Sequence, residues 1–208
     1  MLVTSHGITD DERARLRHQV YEELRACGLL SGDGGLDPDL DAMLAVLADP
    51  RQSVDSVFVP AVGTEPVRPL AAARTPHGRG VLAVQDGPGV TLRRVEPAAL
   101  ARVVVDLLPP APRGTEPALT LPEAEFATAD ARLVGLPSLR AGQLVASSRD
   151  ALGRRRRSPV LAWFDNRTGR YFGHTSKARD GREWTTVAPA DAATLRIRIS
   201  EMMAAVTG

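Results

Sequence analysis

The segment SPVLAWFDNRTGRYFGHTSKARDGREWTTVAPADAATLRIRISEMMAAV, residues 158 to 206, organises the chain. It reads as three strands and a closing helix. The turns fall at Asn166-Arg167-Thr168-Gly169 and at Ala178-Arg179-Asp180-Gly181, glycine-containing breaks between β-rich runs. Leu195, Ile199, Met202, Met203 and Val206 then recur at helical spacing and predict one apolar face.

Working outward, the first half of the chain carries a similar unit. Arg79–Gln85 and Val90–Arg94 flank Asp86-Gly87-Pro88-Gly89, a hairpin signal. Leu100, Val103, Val104, Leu107 and Leu108 follow as the buried stripe of a helix opened by Glu96-Pro97. Val81-Leu82-Ala83 with Asp86 recurs as Val160-Leu161-Ala162 with Asp165. Val95-Glu96-Pro97-Ala98 recurs as Val187-Ala188-Pro189-Ala190. The two matches require different offsets, which the longer stretch between Asp165 and Val187 accounts for. The repeat predicts two β-rich halves joined in one sheet, helices on one face, the other face open to a partner. The halves run over about 1–108 and 118–208. Pro109, Pro110, Pro112 and Pro117 stiffen the connection 109–117 between them.

The remaining elements are read from caps and periodicity. Thr9 and Glu12 form a capping box. Leu16, Val20, Leu24 and Cys27 share one face of the helix that follows, with Cys27 expected as a small buried side chain, and Gly28 supplies its left-handed stop. Asp37-Pro38 opens a second helix with Leu40, Met43, Leu44 and Leu47 inward. Gln52–Val59 alternates imperfectly and reads as an outer strand. Pro69 places Val67–Arg74 at an edge or a break. A short strand near Ala118–Leu121 and a short helix over Pro122–Ala131 begin the second half. Gln143–Arg149 and Ser158–Asp165 are strands joined across the loop Asp150–Arg157.

Composition removes several function classes. A net charge of +1 over 208 residues gives no global electrostatic pull toward nucleic acid or anionic membrane. One cysteine excludes an intramolecular disulfide framework and most cysteine metal sites. No apolar run reaches about 18 residues, so no transmembrane span is expected, and Met1–Gly7 is not a signal peptide. A cytoplasmic protein without cofactor is the expectation.

Residue patterns that carry chemistry are few. His6, His18, His77 and His174 lack metal-ligand spacing. There is no Gly-x-Ser-x-Gly elbow, Walker loop or dinucleotide fingerprint. Asp37, Asp39 and Asp41 begin a helix rather than a calcium loop. An enzyme would have to assemble a site from scattered residues such as His174, Asp165 and Glu183. Arg154, Arg155, Arg156 and Arg157 are the densest local charge; they suit a carboxylate-rich or phosphate-bearing partner, or a solvated loop that deters edge pairing. Trp163, Phe172 and Trp184 fall where they share one sheet face, either as a binding hot spot or as core. These seven residues are the candidate partner-binding set.

Taken together, the order of these segments resembles the EspG family of type VII (ESX) secretion-associated proteins in its broader actinobacterial form. The carrying residues are Gly80–Gly87, Val90–Leu108 with Pro97, Ser148-Arg149-Asp150, Gly153–Arg157, Trp163-Phe164-Asp165, Gly169-Arg170-Tyr171, Gly181–Trp184 and Val187–Asp191. The resemblance implies an α/β fold of the α+β type, quasi-two-fold, with a central antiparallel sheet and helices packed on it, as one EspG-like domain over 1–208. It implies a non-enzymatic cytoplasmic chaperone. Such a protein binds a helical secretion substrate, PE–PPE-like or WXG-like, through the sheet and the C-terminal helical region, and shields an apolar tip before export. It further implies a strand and helix segment ahead of Ser5–Arg13; a sheet without them is expected to expose an edge and permit a homodimer. The alternative reading is a nucleic-acid module centred on Arg154–Arg157.

Overall fold

Antiparallel pairing of two strands distant in sequence builds the centre of the molecule. In the computed structural model, which describes residues 9–75, 78–126, 138–178 and 180–207, β1 (Gln52–Val59) lies against β6 (Arg140–Arg149) along its whole length, Val54 opposite Ala146. From β1 the first half runs outward through β2 (Arg68–Ala73), β3 (Gly80–Asp86) and β4 (Gly89–Val95). From β6 the second half runs the other way through β8 (Leu161–Asn166), β9 (Gly169–Lys177) and β10 (Glu183–Pro189), with the short β5 (Leu119–Pro122) beyond. The three-residue β7 (Arg155–Arg157) pairs β6 beside β8. Each half ends in a helix: α3 (Leu100–Val105), after a 3-10 turn at Pro97–Ala99, and α5 (Ala192–Thr207). The mixed fold with a large antiparallel sheet is thus as expected.

This topology corrects the register of the repeat. Counting outward from the β1–β6 seam, β2, β3 and β4 correspond to β8, β9 and β10. The Val-x-Pro-Ala segments both close the fourth strand of a half and open its helix, so that match is structural. The Val-Leu-Ala match pairs β3 with β8, which are third and second strands. It reflects two buried strands of similar composition, and the differing offsets follow from that mismatch.

Two strands also sit elsewhere than expected. β1 is central, not outer, and β2 is flanked on both sides despite Pro69. The β1–β2 ladder runs from Gln52↔Ala73 to Asp55↔Leu70 and resumes only at the bridge Phe58↔Val67. Pro69 falls in that gap, where its missing N–H breaks no ladder bond. The segment Arg155–Arg157 is a strand rather than loop.

Period-two alternation then sorts side chains to two faces. One face carries Val54, Phe58, Ala71, Leu82, Leu144, Leu161, Trp163 and Phe172, covered by Leu100, Val103 and Val104 of α3 and by Leu195 and Ile199 of α5. The second face is not bare: α2 (Pro38–Ala48) lays Val46 on Ala72 and Val81, with Met43 and Leu47 alongside. Asp37 caps α2 by accepting from the amides of Asp39 and Leu40. α1 (Asp10–Ala26) is capped by the Thr9 hydroxyl and stopped by Gly28 at φ +68° in a Schellman arrangement, Leu29 N donating to Leu24 O. Yet α1 buries no residue, and Cys27 is exposed, so the expected inward face of that helix meets no wall among the described residues. Its periodicity reports helix, not burial. The part of the expected helix over Pro122–Ala131 that exists within the described residues is α4 (Glu123–Phe126); the rest lies outside them.

Gly142 explains the aromatic centre. It stands opposite Phe58 on one side and Trp163 on the other. A Cβ there would come 2.5 Å from Phe58 Cβ and 2.7 Å from Trp163 Nε1. The two rings therefore tilt together over the glycine, 6.0 Å between centroids.

A buried ion pair ties the proline-rich connection to this centre. Arg170 is 2 % exposed and donates through Nε and Nη2 to the two oxygens of Asp165, at 2.7 and 2.9 Å. Nη2 also donates to Pro109 O at 2.6 Å, and the guanidinium lies 4.6 Å above the Trp163 ring. The Arg170 backbone completes the clasp: its amide donates to Pro112 O, and its carbonyl accepts from Gly114 and Ala190. Removing one partner of such a pair strands a buried charge, at a cost of about 3–5 kcal/mol. Arg170→Met is expected to lower the free energy of unfolding by that amount, read as a lower urea midpoint at unchanged m, and Asp165→Leu added to it should restore part of the loss. A midpoint unchanged in Arg170→Met would show that the clasp does not hold the fold.

Candidate partner-binding surface

Strand register decides which of the seven candidate residues reach solvent. Trp163 and Phe172 are directly opposed on β8 and β9 and share a face, as expected, with Trp184 on the same parity of β10. That face is the helix-covered one. Trp163 is 1 % and Phe172 2 % exposed, so both are core and neither ring is presented to solvent. Trp184 is half-buried, opposite Ser176 and Pro122, near the other end of β10 from Ala188, which faces Phe172. The three do not form one exposed hot spot.

The arginine run is divided by the same rule. Arg156 pairs Ser148, whose hydroxyl donates to Val206 O of α5, and so lies on the helix-covered side. Arg155 and Arg157 pair Arg149 and Ser147 and lie on the other. Arg154 is held at the turn by Asp150, its Nε 2.7 Å from Oδ2. Asp150 also accepts the amides of Leu152 and Arg154; the Arg154 side-chain bond first, and then these amides, hold its carboxyl below the usual carboxylate range. Four consecutive arginines therefore do not make one phosphate clamp, and no aromatic ring interleaves with them as single-stranded nucleic acid would require.

The scattered enzyme constellation does not assemble either. Asp165 is consumed by Arg170. His174 stands opposite Leu161, four residues along β8 from Asp165, about 13 Å away at strand rise. Glu183 pairs Lys177 at the far end of β10 and raises the Glu123 carboxyl by sharing a hydrogen bond with it. Among the described residues no group of three or more His, Cys, Asp or Glu is placed to hold a metal ion.

What sequence reading did not single out is a trough on the second face, beyond α2. Val57, Gln143 and Ala162 form one row across β1, β6 and β8; Val59, Ala141 and Phe164 form the next. These six side chains line a cavity of about 500 Å³. Small residues at Ala141 and Ala162 leave it concave between Val57, which is 36 % exposed, and Phe164. Phe164 is backed by Tyr171, their rings stacked 5.5 Å apart. No helix among the described residues covers it. The pattern was present in the sequence as alternate positions of three strands, but only their register brings the rows together.

On the opposite face His174 stacks on Phe172, 5.9 Å away, beside α5. Burial, and then the Arg198 charge, push its pKa below the ordinary value. A lowered folded value means that neutral imidazole is favoured in the fold. The contribution is present above about pH 6.5 and lost as pH falls through the folded value. Compared by thermal unfolding between pH 7.5 and 5, His174→Gln is expected to lose less stability than the unaltered chain. Equal losses would remove His174 as a source of the acid sensitivity.

Comparison with known proteins agrees with this architecture. A family model described as ESX-1_EspG, EspG family, matches residues 1–201. Among solved structures, the Mycobacterium tuberculosis type VII secretion system chaperone EspG5, in complex with a PE25-PPE41 dimer, superposes with a TM-score of 0.69. The match covers 90% of this chain and 84% of that one, at 18% sequence identity. No curated protein matches.

Proposed function

The chain belongs to the EspG family, and on that footing we propose that it is a cytoplasmic, non-enzymatic chaperone of type VII secretion. Its substrate is a helical protein, PE–PPE-like or WXG-like, whose apolar tip it shields before export. The fold shared with EspG5, which was solved bound to a PE25-PPE41 dimer, supports the class of partner. The observation that carries the reading on this chain is the apolar trough of Val57, Val59, Ala141, Ala162 and Phe164, which no helix among the described residues covers. A rigid sheet presents it, so binding orders little new chain, and a protruding helix tip with apolar side chains fits a concave site of that size. Gln143 at its middle offers one amide to orient the occupant.

The decisive test is co-expression with a PE–PPE-like or WXG-like pair from the same genome, followed by size exclusion and mass identification. A stable complex is expected, and Val57→Asp with Ala141→Asp should weaken it at least tenfold while leaving the thermal transition within a few degrees. Burying a carboxylate against apolar surface costs well over the roughly 1.4 kcal/mol that tenfold represents. Absence of a complex with every such pair would overturn the chaperone reading; a complex indifferent to both substitutions would move the contact off the trough.

A further inference from the structure

At the opposite end of β1 and β6 the chain assembles a second concavity, of about 640 Å³, that the run Arg154–Arg157 announces only in part. Five arginines line it, Arg51, Arg74, Arg149, Arg154 and Arg156, against one lining carboxylate, Asp150. They come from four places in the chain: the residue before β1, the end of β2, the end of β6 and the β6–β7 hairpin. Gln52 and Val57 are five residues apart on β1, so the two concavities are about 17 Å apart along the strand.

The cations are held in place rather than merely solvated. Asp150 fixes Arg154 and the hairpin turn, as described above, and its backbone carbonyl accepts from Arg51 Nη1 at 2.6 Å. Just outside, Asp49 bridges Arg74 and Arg149, at 3.7 Å from each. With Asp49 included and Arg156, which is engaged in an interaction of its own, left aside, four positive charges face two negative ones among the described residues. The last turn of α5 carries no basic residue of its own and ends here at Val206 and Thr207. The negative end of its dipole absorbs part of the excess, about half an elementary charge, which leaves most of it uncompensated. A guanidinium has five N–H donors, so the single bond of Arg51 and those of Arg154 do not exhaust either group. Ala73 and Val206 give the concavity apolar floor among the arginine stems.

We propose that this concavity is a docking site for an extended, acidic peptide segment of a protein partner, with carboxylates on the arginine forks and an apolar side chain on the Ala73–Val206 floor. Arginine forks match carboxylates bidentately, and several separated forks suit several carboxylates along a strand better than one small ion. An apolar floor has no use for inorganic phosphate.

The test uses the whole chain and a labelled peptide of sequence Glu-Glu-Leu-Glu-Glu. Fluorescence anisotropy is expected to show saturable binding that falls steeply with salt and disappears when every Glu is replaced by Gln. Arg51→Ala with Arg156→Ala should weaken binding at least tenfold, whereas Arg93→Ala with Arg94→Ala, on the far edge strand β4, should leave it unchanged. Arginine Nε–H shifts in the unaltered protein provide a reading that needs no variant, and they should centre on Arg51, Arg74, Arg149 and Arg154. No saturable binding, equal loss from the β4 pair, or equal affinity for inorganic phosphate alone would overturn the proposal. Neither outcome bears on the trough, because no secretion substrate enters the experiment.

Discussion

The buried pair of Asp165 and Arg170 is the constraint on which the rest of the structure depends. Both residues lie on the helix-covered face, at the end of the β8–β9 hairpin, and both are buried. Arg170 has no way to satisfy its donors there except through Asp165 and the carbonyl of Pro109. The clasp therefore fixes where the proline-rich connection leaves α3, and Arg140 adds a bond to Pro110 O from β6. With the connection pinned, α3 and α5 are set side by side over the β1–β6 seam, and no helix among the described residues covers the other face of that seam. A charged pair of this kind adds little net stability over an apolar replacement, but it penalises any arrangement that breaks it.

Much of the fold was legible because local chemistry wrote it. The hairpins at Gly87 and Gly169 and the turn at Gly181 use glycines with positive φ, which few other residues adopt at low cost. The caps of α1 and α2 are likewise local. What was not legible depended on partners distant in sequence. The position of β1 follows from Val54 meeting Ala146, and the tolerance of Pro69 from a gap in a ladder whose other strand precedes it. The outward-standing α1 has a regular apolar spacing that nothing among the described residues covers.

The candidate surface divides the same way. Alternation correctly grouped Trp163 and Phe172, but a two-residue period gives parity and not which parity the helices cover. The aromatic pair went to the core, and the trough formed on the other parity, from alanines and valines that no composition argument picks out. Arg154–Arg157 was conspicuous as a run, yet the strand splits it, and Arg154 and Arg156 join Arg51, Arg74 and Arg149 from other strand ends. Contiguity in sequence overstated one cluster and hid another.

The rows of β1, β6 and β8 that no described helix covers are the surface proposed to receive the secretion substrate. Hydrogen exchange on the chain alone and in complex with a helical substrate pair measures this most directly. Added protection is expected in peptides spanning Val57–Val59, Ala141–Gln143 and Ala162–Phe164. Protection confined to α1 or to the β4 edge, with those three segments unchanged, would contradict it.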